Sequence, residues 1–400
     1  FIDFIMTYSL LFLSILILFS SCSQDKIEHI DGNTITEKEL TQRIQTLIDE
    51  AGVAGLVVTI FNDNEIAYQK GFGYANYETK DTLTTDQIFY GASFSKAVFG
   101  YLVADLVLDG TIDLDTPLQE YFDVPIPDLE FEKEWRGFAN LAGDDRYKDI
   151  TARMCLNHST GFPNWRWIDR SFDFDRDGKI HFFFDPGARF SYSGEGMMLL
   201  QYAIEKVTGK GLEELAQERI FDPLEMSMTS YVWQERFEGI FVNGHTSEHE
   251  VIPKDTEDEA GAAGSMETTP DDYAKFFGHI LREASSDSEL AQLMFYPSVR
   301  INSKAQFGIE VWQDTDENDD IELSYGMGWG LLKSPYGYGA FKEGSDQGWE
   351  HYSIMFPEQK TGVIIMSNSD NAEGIFKELL EITIGDVYTP WKWERYIPFD

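Results

Sequence analysis

Only two of the 400 residues are cysteine, Cys22 and Cys155, so no framework of intrachain disulfides staples the fold and apolar burial has to hold it. Positive charge is scarce as well. Against 31 Lys and Arg stand 70 Asp and Glu, a formal charge of −39, and such a surface repels phosphate backbones, which argues against nucleic acid as a partner. The imbalance says little about a small substrate, because charges more than a Debye length of ~8 Å away are screened. Long apolar runs are also missing: Leu10 to Phe19 falls short of the ~20 residues that cross a bilayer.

What is present reads as an ordinary globular chain, 42% hydrophobic and 25% charged, long enough for one catalytic unit with a sizeable insertion or for two modest domains. The short apolar run is followed by Ser20, Ser21 and Cys22. That order resembles the signal peptide and lipobox of a bacterial lipoprotein, in which Cys22 is lipidated and becomes the first residue. The resemblance implies a protein exported to the cell envelope and anchored to a membrane through Cys22, periplasmic or outer-membrane associated. Cys155 reads as a small buried residue. The acidic tracts from Asp255 to Glu259 and from Asp314 to Asp320 read as solvated loops.

Periodicity gives the coarse architecture. Leu40, Ile44, Leu47 and Ile48 share one face of a helix over 37–51. Leu56 to Phe61 and Glu65 to Gly71, joined by Asn62-Asp63-Asn64, predict a β-hairpin. An amphipathic helix with Val98, Leu102 and Leu106 on its stripe follows Ser93 and stops at Asp109-Gly110. Further helices are predicted near 196–207, 212–220, 271–284 and 372–382, and strands near 328–333, 352–356 and 362–367. Strands at both ends with helices between them predict an α+β fold, in which one antiparallel sheet is built from N- and C-terminal segments, flanked by helices, with a mostly helical inserted region.

The most informative pair is Ser93 and Lys96, in Tyr90-Gly91-Ala92-Ser93-Phe94-Ser95-Lys96. Positions i and i+3 of a helix share a face, so a hydroxyl and an ammonium would meet in one cleft. An amine held there can draw the proton from the hydroxyl and turn serine into an acyl-transfer nucleophile. Taken alone, Ser93 could equally be the cap of the helix it opens. Two other patterns compete for a role. His245-Thr246-Ser247-Glu248-His249 has the spacing of inverted zinc peptidases, a chemistry that needs both rings on one helical face, whereas Asn243-Gly244 and Pro253 disfavour a helix there. Asp173 to Gly178 resembles the start of a calcium loop, but Phe184 stands where the bidentate Glu belongs, and a tight Asp-Gly turn is the simpler reading.

Several ordered segments then resemble the serine β-lactamase and penicillin-binding-protein family, in particular its class C and esterase branch, from about residue 37 to 385. Ser93-Phe94-Ser95-Lys96 matches the first motif. Ile150-Thr151 with Leu156-Asn157-His158-Ser159-Thr160-Gly161 is similar to a threonine/histidine/glycine segment, and Pro186 to Gly194 matches the stretch carrying Tyr-x-Asn. Ala263 to Asp272 is in the same style, and Lys342-Glu343-Gly344-Ser345 resembles the Lys-or-His-x-Gly motif.

The resemblance implies a serine hydrolase forming a covalent acyl-enzyme on ester or amide bonds: an esterase, a D-amino-acid peptidase or a weak β-lactamase. The alternatives are a non-hydrolytic penicillin-recognising receptor that acylates and stalls and, more remotely, a zinc peptidase through His245 and His249. It also implies Ser93, Lys96 and Tyr192 as catalytic residues. Tyr192 would move the proton while Lys96 and Lys342 hold its negative charge. Lys342, Gly344 and Ser345 would bind substrate, with the backbone N–H groups of Ser93 and Ser345 facing the oxyanion. No metal or other cofactor is implied, and the partners are a small ester, peptide or β-lactam and the membrane at Cys22. The domain boundaries on this reading are 1–22 signal peptide, 23–36 polar linker and 37–400 catalytic domain, with the helical insertion at about 91–285.

One departure bears on substrate. Gly194 stands where the family commonly has Asn, so no side-chain amide can bond a substrate's acylamino group. That favours esters or short peptides over β-lactams, with Trp165, Trp167, Trp329 and Trp349 as candidate walls of an apolar acyl pocket.

Overall fold

The structure, a computed structural model, describes residues 26–256 and 259–399. Leu10 to Phe19 and Cys22 lie outside the described residues. Helix α1 (Glu37–Ala51) starts where the Thr36 side chain accepts a hydrogen bond from Glu39 N, and it ends at Gly52, whose φ of 64° is the left-handed cap expected of glycine. Strands β1 (Gly55–Asn62) and β2 (Glu65–Asn76) form the expected hairpin. Asp63 and Asn64 turn it with φ of 51° and 66°, the left-handed pair that matches strand twist. β3 (Asp81–Thr82) follows.

The chain returns to this sheet through β4 (Val299–Arg300), β5 (Ser324–Tyr325), β6 (Gly330–Ser334), β7 (Gly337–Asp346), β8 (Trp349–Phe356) and β9 (Thr361–Ser367). These nine strands pair in the spatial order β4-β5-β6-β7-β8-β9-β1-β2-β3. β9 runs antiparallel to β1, with Ser367 opposite Leu56 and Gly362 opposite Phe61, so one sheet is closed by the two ends of the fold. Both its faces are covered. Leu56, Val58 and Ile60 point to the face that carries α1 and α5 (Phe376–Thr383), while Val57 joins the core on the other face. That is the period-two alternation of a strand, and Phe61 follows Val57 onto the second face.

On that second face lies the helical region: α2 (Phe94–Leu108), the short helix Ala152–Leu156, α3 (Gly194–Thr208) and α4 (Pro270–Ser285). Three expectations change. α2 is not amphipathic but buried over most of its circumference, from Phe94 through Leu106, because it is wedged between the sheet and the surrounding helices. The stretch read as linker holds, from Lys26, a small hairpin of Lys26–Glu28 against Thr34–Thr36 with Ile27, Ile30 and Ile35 buried. β7, which carries the Lys342 motif, was not expected as a strand: its glycines and charges lower β propensity, and its ladders with β6 and β8 supply the order. No helix among the described residues is long and apolar enough to cross a membrane.

Candidate active site

Ser93 sits at a sharp corner. Phe89–Tyr90 pairs with Glu267–Thr268, Gly91 N donates to Met266 O at 2.7 Å, and Ala92 takes a φ of 44°, a left-handed conformation costing a non-glycine residue ~1–3 kcal/mol. The corner is held by Ser95, whose hydroxyl donates to Ala92 O at 2.6 Å and accepts from Met266 N at 3.1 Å. The Ser93 side chain makes no cap hydrogen bond. Its hydroxyl lies instead 3.0 Å from Lys96 Nζ, one turn on.

Lys96 is buried, and its amine donates to the Ala263 carbonyl. Burial, reinforced by the charge of Lys342, holds its pKa well below the ordinary lysine value, although Glu343 pulls the other way. Lys96 Nζ donates to Ser93 Oγ as well as to Ala263 O; in its neutral form the amine can reverse the first contact and offer a lone pair to the Ser93 hydroxyl. Lys342 behaves oppositely. Burial is the largest single influence and acts to lower its pKa, but the Glu343 carboxylate, 3.2 Å away, and Tyr192, 2.9 Å away, outweigh it, so the pKa is raised and Lys342 stays an ammonium. The Tyr192 phenol is pushed up by burial, against the pull of Lys342. Two ammonium ions cannot share one dry pocket cheaply, so the lowered pKa makes Lys96 a candidate to take the Ser93 proton, beside the Tyr192 expected from the sequence.

Tyr192 is set by the segment before α3. Ser191 N donates to His158 O at 2.8 Å, Ser193 N donates to His158 Nδ1 at 3.2 Å, and the His158 ring lies 4.2 Å from the Tyr192 ring. Ser193 then caps α3 by accepting from Gly196 N at 3.0 Å. His158 is itself buried, and burial is the first influence that holds its pKa well below the ordinary imidazole value. Glu343, quoted in the sequence only as the middle of a motif, anchors Lys342 and accepts from Gln306 Nε2 at 2.6 Å. No periodicity could have shown that role.

β7 passes so close to the start of α2 that a Cβ on Gly344 would stand 3.3 Å from Ser93 N and 3.2 Å from Phe94 N. Only glycine leaves that space open. Among the described residues no hydrogen bond occupies the Ser93 N–H, and Ser345, the next residue of β7, is exposed. The predicted set of Ser93, Lys96, Tyr192, Lys342, Gly344 and Ser345 thus converges on one place.

Beside Lys96 opens a cavity of about 460 Å³ walled by Tyr90, Trp135, Trp165, Trp167, Met198 and Trp349, with Ala263 and Gly264 on the side of Lys96. Three of the four expected tryptophans line it; Trp329 is fully buried in the core instead. Its far wall is fixed by a buried ion pair, Arg166 and Glu195, at 2.8 Å with side-chain exposures of 5% and 4%. Arg166 also donates to the carbonyls of Trp135, Arg136 and Gly137. Glu195→Ala leaves that guanidinium buried and unpaired, and a loss of about 3–5 kcal/mol in the urea unfolding free energy is expected.

The two competing patterns resolve as structure. His245 lies on a two-residue strand, Gly244–His245; its Nε2 accepts from Tyr77 N at 2.9 Å and its Nδ1 faces Asn368 O at 2.9 Å. His249 has its Nε2 against Gly52 O and its ring stacked 3.9 Å from Tyr77. Both rings serve loop packing, which overturns the zinc-peptidase alternative. In the Asp173 to Gly178 stretch, Asp175 Oδ1 accepts from Asp177 N at 2.9 Å and Asp177 pairs with Lys179, a turn closed on itself.

A family model described as Beta-lactamase matches residues 40–382. The chain belongs to the β-lactamase family. Among its relatives, the sequence is 23% identical over 388 residues to penicillin-binding protein 4* of Bacillus subtilis (strain 168), covering 88% of this chain and 77% of that protein. It is 23% identical over 278 residues to the unguisins hydrolase ungD' of Aspergillus campestris (strain IBT 28561), covering 64% of this chain. The match spans about half of that relative's length, 49%. The octameric penicillin-binding protein homologue from Pyrococcus abyssi shares the fold, with a TM-score of 0.67 at 21% identity over 89% of this chain and 79% of that one. Members of the β-lactamase family are mostly serine acyl-transferases or hydrolases, which is the chemistry the Ser93–Lys96 geometry accommodates.

Proposed function

We propose that this β-lactamase-family chain is a serine hydrolase that works through a covalent acyl-enzyme on esters or on amide bonds of short peptides. The observation that carries the reading is the 3.0 Å approach of Lys96 Nζ to Ser93 Oγ beside the 2.9 Å contact of Lys342 with Tyr192. Ser93 Oγ attacks the carbonyl carbon of the substrate as its proton passes to the neutral amine of Lys96. The Ser93 and Ser345 N–H groups meet the oxyanion, each such donor being worth ~2.7–4 kcal/mol. As the tetrahedral intermediate collapses, the bond to the leaving group breaks, the Tyr192 hydroxyl gives its proton to the leaving group, and Tyr192 takes up in return the proton held by Lys96, which leaves the amine neutral for the second half-reaction. Water then repeats the sequence, releasing the acid and restoring Ser93. Lys342 keeps its charge throughout and steadies negative charge on Tyr192.

Gly194 offers no amide to a β-lactam's acylamino group, and the cavity carries five carboxyl side chains against three cations, a poor match for the carboxylate of a penicillin. Steady-state assays are expected to give p-nitrophenyl esters a higher kcat/KM than nitrocefin, with a fluorophosphonate adduct located on Ser93 by mass spectrometry. A nitrocefin efficiency far above that for the esters would overturn the substrate preference. A β-lactam adduct lasting for hours would mark a receptor that acylates and stalls.

A further inference from the structure

The residue that replaces the family's amide on this site is not the glycine alone. Gly194 opens α3 with its N–H bonded to Asn164, to the carbonyl and to Oδ1, each at 3.0 Å. A Cβ on Gly194 would stand 2.9 Å from Asn164 O and only 3.0 and 3.1 Å from Cη2 and Cζ3 of Trp165. The Trp165 indole therefore already fills the space into which a side chain at 194 would grow. The same ring lies 5.9 Å from Lys96 Nζ, is about one-third exposed, and lines the aromatic cavity. Polar recognition at this point is exchanged for a flat apolar surface.

We propose that Trp165 is the specificity-determining residue of the site and that the cavity behind it takes an aromatic ring on the acyl part of an ester or amide. This rests on the serine-hydrolase reading above and adds the acyl class to it. Three observations support an aromatic occupant. The volume of about 460 Å³ falls in the range of small-ligand pockets, ~300–1,000 Å³. The wall consists of indole and phenol rings set at angles to one another, Trp135 and Trp167 with centroids 5.3 Å apart at 51° and Tyr90 and Trp349 at 6.3 Å and 69°, so a planar guest meets ring edges and faces together. The three cations along the wall are already spent on acids of the chain, Arg136 on Glu259, Arg166 on Glu195 and Lys254 on Glu267, and are not presented to an anionic guest.

The test compares kcat/KM for p-nitrophenyl phenylacetate and p-nitrophenyl acetate, with fluorophosphonate labelling of Ser93 run on the same preparations. The wild-type chain is expected to favour phenylacetate by at least ~10-fold, the scale at which one apolar contact discriminates. Trp165→Ala should lower that ratio by roughly the same factor, and Trp165→Phe should restore most of it. A second variant works from the other side of the cavity. Gly261 has nothing nearer to an added Cβ than 3.8 Å, so Gly261→Leu fills space without backbone strain and should also depress the ratio. If Ser93 is labelled but the ratio is near one, or if neither Trp165→Ala nor Gly261→Leu moves it by more than twofold, the aromatic assignment is wrong while the hydrolase reading stands. If Ser93 is not labelled, both fall together.

Discussion

Ser93→Ala is expected to abolish turnover of p-nitrophenyl esters, by on the order of 10⁴-fold or more, and to erase the fluorophosphonate adduct from the intact-protein mass spectrum. The size of the effect follows from what the hydroxyl does and does not touch. It is met by Lys96 Nζ at 3.0 Å, and it caps no backbone N–H of α2. Removing it deletes the nucleophile and leaves the turn intact, because the corner is tied by Ser95, Gly91 and Met266. The unfolding midpoint in urea should move by no more than ~0.5 kcal/mol equivalent. A variant that folds as well as the parent and still hydrolyses esters at a comparable rate would remove Ser93 from the mechanism.

The sequence carried the β1–β2 hairpin, the strands β6, β8 and β9 and the long helices because each is written in local pattern. The stripe of Leu40, Ile44 and Ile48 and the run Leu56 to Phe61 read directly as helix and strand, and both form within a residue or so of the expected bounds. Ser93, Lys96, Tyr192 and Lys342 were legible for another reason. Their short motifs resemble a known family, and the structure brings them within hydrogen-bonding distance across 3 and 150 residues of chain. The division of charge between the two lysines was not legible, since it depends on burial and on Glu343 lying 3.2 Å from Lys342 Nζ, neither of which has a sequence signature. β7 was hidden by its own glycines, yet Gly344 is what lets that strand approach the start of α2. Trp165 could be named as a wall of a pocket, but its contact with Gly194 links residues far apart in the chain and appears only in the folded protein.

Lys96→Met separates catalysis from stability most cleanly. Methionine is unbranched and close to lysine in shape, so it fills the same channel, but it cannot accept the Ser93 proton, and a loss of roughly 10²- to 10⁴-fold in kcat/KM is expected. The pH profile should change as well. Only the neutral amine accepts a proton, and the pKa of Lys96 is lowered first by burial and then by Lys342. Wild-type activity is therefore full above that lowered pKa and falls tenfold per pH unit as the medium is acidified through it. The variant should lack this acid limb. Stability follows pH in the same sense. In the unfolded chain Lys96 titrates near the ordinary 10.5, so between the folded and unfolded pKa values the unfolded state binds more protons, and the folded state gains stability as pH rises through that window. At neutral pH the buried amine is thus a cost to the fold, and Lys96→Met should unfold at the same or a higher urea concentration than the parent. Activity within tenfold of the parent, or an acid limb that survives the substitution, would show that another group takes the proton. A variant that is inactive yet more stable identifies Lys96 as a residue kept for chemistry at the expense of packing.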